Sequence, residues 1–235
     1  MKQDYLRVFV LAFATAILAS CAGGPEEIDS RDMEANLVVD AGQRLTSQPK
    51  YNMTLGVMVM RDERATAFYA DSDDFFRQPV PTGLSRSLYF SLSRSGLFSN
   101  VEFINEVPPS KMNVAQLREI GEHHDVDMLL VADLNMFNLV RRSLVEDLTI
   151  FGGPSTARET QEDFQTTLTL DYIGQILHVP DGAIVWGEQV RNFETVYALE
   201  GTLQAQEFNQ LTEKVLTDSF SQLANFVNAT GLIPQ

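Results

Sequence analysis

Cysteine is almost missing from this chain. The 235 residues hold one, Cys21, so no intrachain disulfide can staple the fold and no thiolate cluster can hold zinc. Histidine is nearly as scarce. His123 and His124 are adjacent at the end of a predicted helix, about 100 degrees apart and without the i, i+4 spacing of paired zinc ligands. Histidine also suits the negative end of a helix dipole, a plainer reason for its presence there, and no metal is expected. Basic residues are short: 17 Lys and Arg stand against 32 Asp and Glu, a net charge of −15. Nucleic acid and anionic lipid headgroups would be repelled, and the acidity serves either solubility or a basic partner. Phosphate cradles and nucleophile elbows are also absent; the nearest serine context, Gly83-Leu84-Ser85-Arg86-Ser87, lies inside a predicted helix. Asp71-Ser72-Asp73-Asp74 lacks the glycine and distal glutamate of a calcium loop, and Glu159, Glu162 and Asp163 have no acid/base partner. These absences argue against an enzyme, and no catalytic residue or cofactor is expected.

No apolar run reaches the roughly 20 residues of a membrane-spanning helix. Val8 to Leu18 comes closest, interrupted only by Thr15 and preceded by Lys2 and Arg7. A charged start followed by a short apolar core is the pattern of a removable signal peptide, here residues 1–20. Its end, Leu18-Ala19-Ser20-Cys21, resembles the lipobox of bacterial lipoproteins, which implies acylation of Cys21 by chains such as palmitate and cleavage just before it. One acyl chain holds a membrane marginally, at about 0.8 kcal/mol per buried methylene, whereas two or three hold it stably. Ala22 stands where the lipoprotein sorting rule would need Asp for inner-membrane retention, so the resemblance implies the outer membrane, with the domain facing the periplasm. Losing Lys2, Arg7 and Asp4 with the leader leaves 15 basic and 31 acidic residues, a net of −16.

Ala22 to Asp32 is small, acidic and too poor in apolar residues to join a core, so it reads as a tether. Met33 to Leu45 can form a short helix after Ser30, limited by Gly42 and Pro49; residues 21–50 thus precede one domain, 51–235. Met53 to Met60 is apolar at both parities, as in a strand buried on both faces. Thr82 is expected to cap a helix in which Leu84, Leu88 and Leu92 face a sheet and which Gly96 ends. Phe98 to Ile104 is the next strand, and Asn113 with Gln116 opens a helix placing Val114, Leu117 and Ile120 on one side. Asp127 to Val140 reads as a strand. Phe164 to Val179 and Ala183 to Leu199 form a hairpin around Pro180-Asp181-Gly182, and Leu203 to Asn228 carries a broad apolar stripe. The order β-α-β-α-β-β-β-α suits an α/β (α+β) fold, a mixed sheet with helices packed on it.

Three passages carry a family resemblance: Leu92-Ser-Arg-Ser-Gly96-Leu97-Phe98-Ser-Asn-Val101, Asp125-Val-Asp127-Met-Leu-Leu-Val131, and Asp181-Gly182-Ala-Ile-Val-Trp186. Together they resemble envelope lipoproteins built on the TolB amino-terminal or CsgG-like domain, including curli-secretion, exopolysaccharide-export and penicillin-binding-protein-activator lipoproteins. The resemblance covers Met53 to Asn228 and implies an assembly, scaffold or accessory role through contacts with other cell-envelope proteins, in some members as a homo-oligomer. Two clear barrel-strand insertions of the curli channel are missing, so a pore made by this chain alone is not expected. Leu139 to Arg158 is a long excursion between strands, either a partner-binding loop, with Arg141, Arg142, Leu144, Phe151, Gly152 and Gly153 as its candidate contacts, or a solvated one. Trp186 and Phe193 supply either an interface anchor or, for Trp186, a core ring. Two rival functions remain: an auxiliary lipoprotein of a lipid-transport system, which needs an apolar groove, and a hydrolase with an unfamiliar pocket around His178.

Overall fold

The computed structural model describes residues 34–40, 42–65, 73–110, 113–143, 164–198 and 204–232, all within the unit Met33–Gln235. Strand β1 (Tyr51–Met58) is followed by the two-residue β2 (Arg61–Asp62), helix α1 (Val80–Ser95), β3 (Phe98–Ile104) and α2 (Val114–His123). Then come β4 (Met128–Ser143), β5 (Phe164–His178), β6 (Ile184–Ala198) and α3 (Ala205–Thr230). One mixed sheet runs β3-β1-β4-β5-β6, and β2 pairs with β4 off that path. β1 lies parallel to both β3 and β4, while β4, β5 and β6 are successively antiparallel. The element order expected from hydrophobic patterning is therefore present, with β2 added.

β1 is apolar at both parities because both faces are covered. Leu55 and Val57 join the larger core, which includes α1 and α3, while Met58 joins a smaller core with Leu117 of α2. On α1, Leu84, Leu88 and Leu92 are fully buried, and the helix ends at Gly96 with φ 72°. Thr82 does not cap α1. Pro79 is the cap residue and Pro81 sits in the first turn, where a missing N–H costs nothing and a fixed φ is already helical. At α2 the Asn113 side chain accepts the Gln116 backbone N–H at 3.3 Å. Gln204 and Glu207 form a reciprocal capping box before α3, whose Phe208, Leu211, Val215, Phe220 and Leu223 are buried, with Phe226 partly so.

The helix expected between Met33 and Leu45 is not there among its described residues. Instead the chain runs extended along α1, beginning with a bridge from Ala35 to Phe76. The reason lies on α1, where Gly83, Ser87, Ser91 and Ser95 recur every four residues and make a shallow stripe. Ser87 Oγ accepts the Val39 N–H at 2.6 Å and donates to the Leu37 carbonyl, and the Leu45 N–H reaches the Ser95 carbonyl at 2.9 Å. A Cβ on Gly83 would stand 2.6 Å from Leu37 Cβ, closer than packed atoms allow. An extended chain fits that stripe, whereas a helix about 10 Å across does not. This segment belongs to the same compact unit as the sheet, Met33–Gln235.

Two irregularities set the faces of the long strands. Between Leu134 and Met136 the β4–β5 register shifts, leaving Asn135 as an extra residue, so that Leu134 and Phe137 both enter the core. In the β5–β6 turn Gly182 takes φ 74°, and Asp181 Oδ1 accepts the Ala183 N–H at 2.9 Å. Trp186, on β6, is only 3% exposed and packs in the larger core.

Two stability outcomes follow from this packing. Trp186→Ala should cost about 3–5 kcal/mol in urea unfolding, the usual loss for a buried large aromatic. Gly83→Val should cost about 1–3 kcal/mol through overpacking against Leu37, and should raise amide exchange at Val39 more than at Leu130. Equal exchange at both amides would mean that the extended segment does not depend on the stripe.

Candidate functional site

Of the residues singled out from sequence, Arg141 and Arg142 lie in β4, opposite Thr166 and Gln165 of β5. Strand β4 therefore runs on through Ser143, past Leu139. β5 offers the backbone groups of Leu139 to Ser143 a ladder, from Leu168 to Phe164, so pairing extends the strand. Leu144, Phe151, Gly152 and Gly153 lie outside the described residues, as does Cys21.

What the structure does bring together is an antiparallel ribbon. β1 pairs with β4 only over Met128–Leu130, and β2 adds Asp133 and Leu134. Beyond these residues β4, β5 and β6 continue as three long strands. One side of the ribbon is covered by α3: Phe76 lies 4.9 Å from Phe137 and 5.6 Å from Phe208, centroid to centroid, over Leu168 and Leu170. The other side carries Ile173, Phe193 and Tyr197, exposed by 38, 63 and 66%. Period-two alternation puts Phe193 and Tyr197 on that side and Trp186 on the other, so the two aromatics weighed as anchors part company. Tyr197 was missed by the sequence reading, although it sits four residues after Phe193 and thus on the same strand face.

Polar groups stiffen this surface. Gln189 Nε2 donates to both Asp171 carboxylate oxygens at 2.8 and 3.1 Å, Arg191 Nε stands 3.9 Å from Asp171, and the Thr167 and Thr195 hydroxyls meet at 3.0 Å. From the covered side Lys214 pairs with Glu194 at 2.8 Å, and that hydrogen bond raises the lysine pKa.

A second polar cluster gathers at β2. Arg61 reaches Asp133 at 2.6 Å and Glu63 at 2.9 Å. The Arg64 side chain, 5% exposed, holds Asp62 at 2.8 Å and Asp73 at 2.7 Å. Burial acts to lower the Arg64 pKa, but hydrogen bonds to Asp62 and Asp73 outweigh it and the net shift is upward. The same hydrogen bond lowers the Asp62 pKa. Asp73 is thereby engaged in an ion pair.

Two of the three histidines are occupied locally: His124 Nε2 meets Glu106 at 3.0 Å, and His178 Nδ1 meets Asp181 at 2.9 Å within the hairpin turn. Among the described residues no three His, Cys, Asp or Glu side chains gather as a metal site. One recess of about 470 Å³ is lined by Gly42, Arg44, Ser93, Arg94 and Gly96; another, of about 320 Å³, involves Val107, Pro109, Gln116, Glu119 and Ile120. No described helix is long and apolar enough to cross a membrane.

No protein-family model matches this chain, and no curated protein sequence matches it. Solved structures do resemble it. A Xanthomonas campestris protein of the DUF330 family is 15% identical, with a TM-score of 0.47, covering 82% of this chain and 93% of its own. A minor lipoprotein from Acinetobacter baumannii is 14% identical, with a TM-score of 0.36 and coverages of 77% and 97%. The PelC dodecamer from Paraburkholderia phytofirmans has 10% identity, a TM-score of 0.36 and coverages of 74% and 91%.

The Arg64 cluster generates a pH-dependent outcome. A carboxyl whose folded pKa is depressed stabilises the fold above its unfolded value, near 4, and that contribution is lost as pH falls through the folded pKa. Arg64→Ala should therefore destabilise by about 1–3 kcal/mol at pH 7, with a smaller deficit at pH 3. Urea melts at both values test this; a deficit independent of pH would make Arg64 a packing residue only.

Proposed function

We propose that this chain is an outer-membrane lipoprotein, anchored by acyl chains on Cys21, whose domain belongs with the TolB amino-terminal or CsgG-like envelope lipoproteins. It acts without chemistry of its own, as an assembly, scaffold or accessory factor of a cell-envelope machine, through protein contacts. The observation that carries this reading is the ribbon's open side, where Phe193 and Tyr197 stand exposed beside a hydrogen-bonded polar network while the ring of Trp186 is buried. Large aromatics in a polar rim are the usual anchors of a protein interface. The resemblance of Leu18-Ala19-Ser20-Cys21 to a lipobox supports a membrane location for the domain, and the net charge of −16 that cleavage would leave disfavours contact with anionic headgroups.

The test has two arms. Cys21→Ser should abolish fatty-acid labelling and release the protein from the membrane fraction. Phe193→Ser with Tyr197→Ser should reduce crosslinked envelope partners at least tenfold while leaving stability within about 0.5 kcal/mol, as expected for exposed positions. Partner recovery equal to wild type would remove the ribbon from the contact surface.

A further inference from the structure

The outer edge of β6 bears on what the open side contacts. β6 ends the sheet, and among the described residues no strand pairs with its outer edge along 15 residues. Natural edge strands are guarded by shortness, proline, lysine or bulges, because their free N–H and C=O groups template further pairing. The opposite edge, β3, has 7 residues. From Trp186 to Ala198 β6 has no proline and no lysine, and its register shift lies at the turn end, before Trp186. One outward donor has no backbone acceptor: the Phe193 N–H points away from β5 and donates to the side-chain oxygen of its own neighbour, Asn192, at 2.9 Å.

We propose that β6 pairs antiparallel with β6 of a second copy, across a twofold axis at Phe193, continuing the sheet from one protomer into the next. This rests on the reading of the ribbon as a protein-contact surface. Geometry limits the choices. Directly opposite residues in an antiparallel pair must both point their backbone groups toward the partner or both point them away. Outward groups belong to the odd-numbered residues, as Phe193 shows, so odd must oppose odd and the axis must pass through a residue. An axis at Arg191 or Glu194 would set like charges against each other, which is destabilising. An axis at Asn192 would oppose Glu194 to Val190 and Glu188 to Val196. The axis at Phe193 opposes Phe193 to itself, Arg191 to Thr195, Val190 to Val196 and Asn192 to Glu194, with no like charges facing and the apolar pair matched. Phe193 would then exchange backbone hydrogen bonds with its equivalent, freeing Asn192 for the facing Glu194.

The sequence makes the test clean. In the full-length protein in detergent, acylation blocks Cys21, so an introduced cysteine is the sole free thiol. In Phe193→Cys the two Cα atoms would lie about 5.5 Å apart, within disulfide range. In Tyr197→Cys, a position equally exposed, they would lie roughly 27 Å apart. Expected are twice the monomer mass for wild type by light scattering, disulfide-linked dimer for most of the Phe193→Cys chains on mild oxidation, and at least tenfold less for Tyr197→Cys, with wild type unlinked. A monomeric wild type, or equal linkage at 193 and 197, would overturn the pairing. If pairing fails while partner recovery still depends on Phe193 and Tyr197, the contact-surface reading stands without it; if that dependence is also lost, both fall. Melting temperatures of the two cysteine variants within about 2 °C of wild type keep misfolding from imitating either result.

Discussion

A strand with neighbours on both edges and helices over both faces has no side left for water, and β1 holds that position from Leu55 to Met58. β3 and β4 flank it in parallel, the α1 and α3 layer covers Leu55 and Val57, and α2 lies on the side of Met58. Parallel neighbours require crossovers, and each crossover here contains a helix. From this one buried strand follow the two-layer cover, the order β3-β1-β4 and the split of the core into a large and a small cluster. Gly56 marks how close the packing is, since a Cβ there would meet Ile104 Cδ1 at 2.6 Å.

The cover over β1 does not extend along the whole of β4, β5 and β6. These strands are successively antiparallel and need no helical crossover between them, so they can grow past the helical layer on one side while α3 protects the other. Such a sheet has a dry face and a wet one, and the wet face is free to carry residues with no duty in folding. Ile173, Phe193 and Tyr197 are there, beside a carboxylate held by Gln189. The fold thus separates its obligations: the parallel half fixes the domain, and the antiparallel half presents a surface.

Much of the fold was legible because it rests on period and punctuation. Leucines four apart on α1, Gly96 after them and Asp181-Gly182 between two alternating runs are local signals, and each corresponds to an observed element. What escaped the sequence was set by partners distant in the chain. The extended run of Val38 and Val39 is readable only once the stripe of Gly83, Ser87, Ser91 and Ser95 is known to lie beneath it. β2, two residues long, exists because β4 passes alongside. Arg141 and Arg142 stay in strand because β5 supplies their backbone partners. Of the candidate site, alternation marked Phe193 in advance, but whether its face was open or covered depended on where α3 lies, and no local pattern encodes that.

The extended segment along α1 also decides how the domain is held. The chain enters the described fold through Glu34 and Ala35. Tension on that path is first met by backbone bonds between Ala35 and the Phe75 and Arg77 strand bridge, then by Ser87 acting as both donor and acceptor to Leu37 and Val39. Hydrogen bonds spread along one helix share a load applied along their common direction, whereas a single contact would take it all. Leu37, fully buried against Gly83, resists withdrawal because leaving would expose its side chain and open a cavity beside α1. The segment from Ala35 to Leu45 is thus held on α1, and the open side of the ribbon takes no part in holding it.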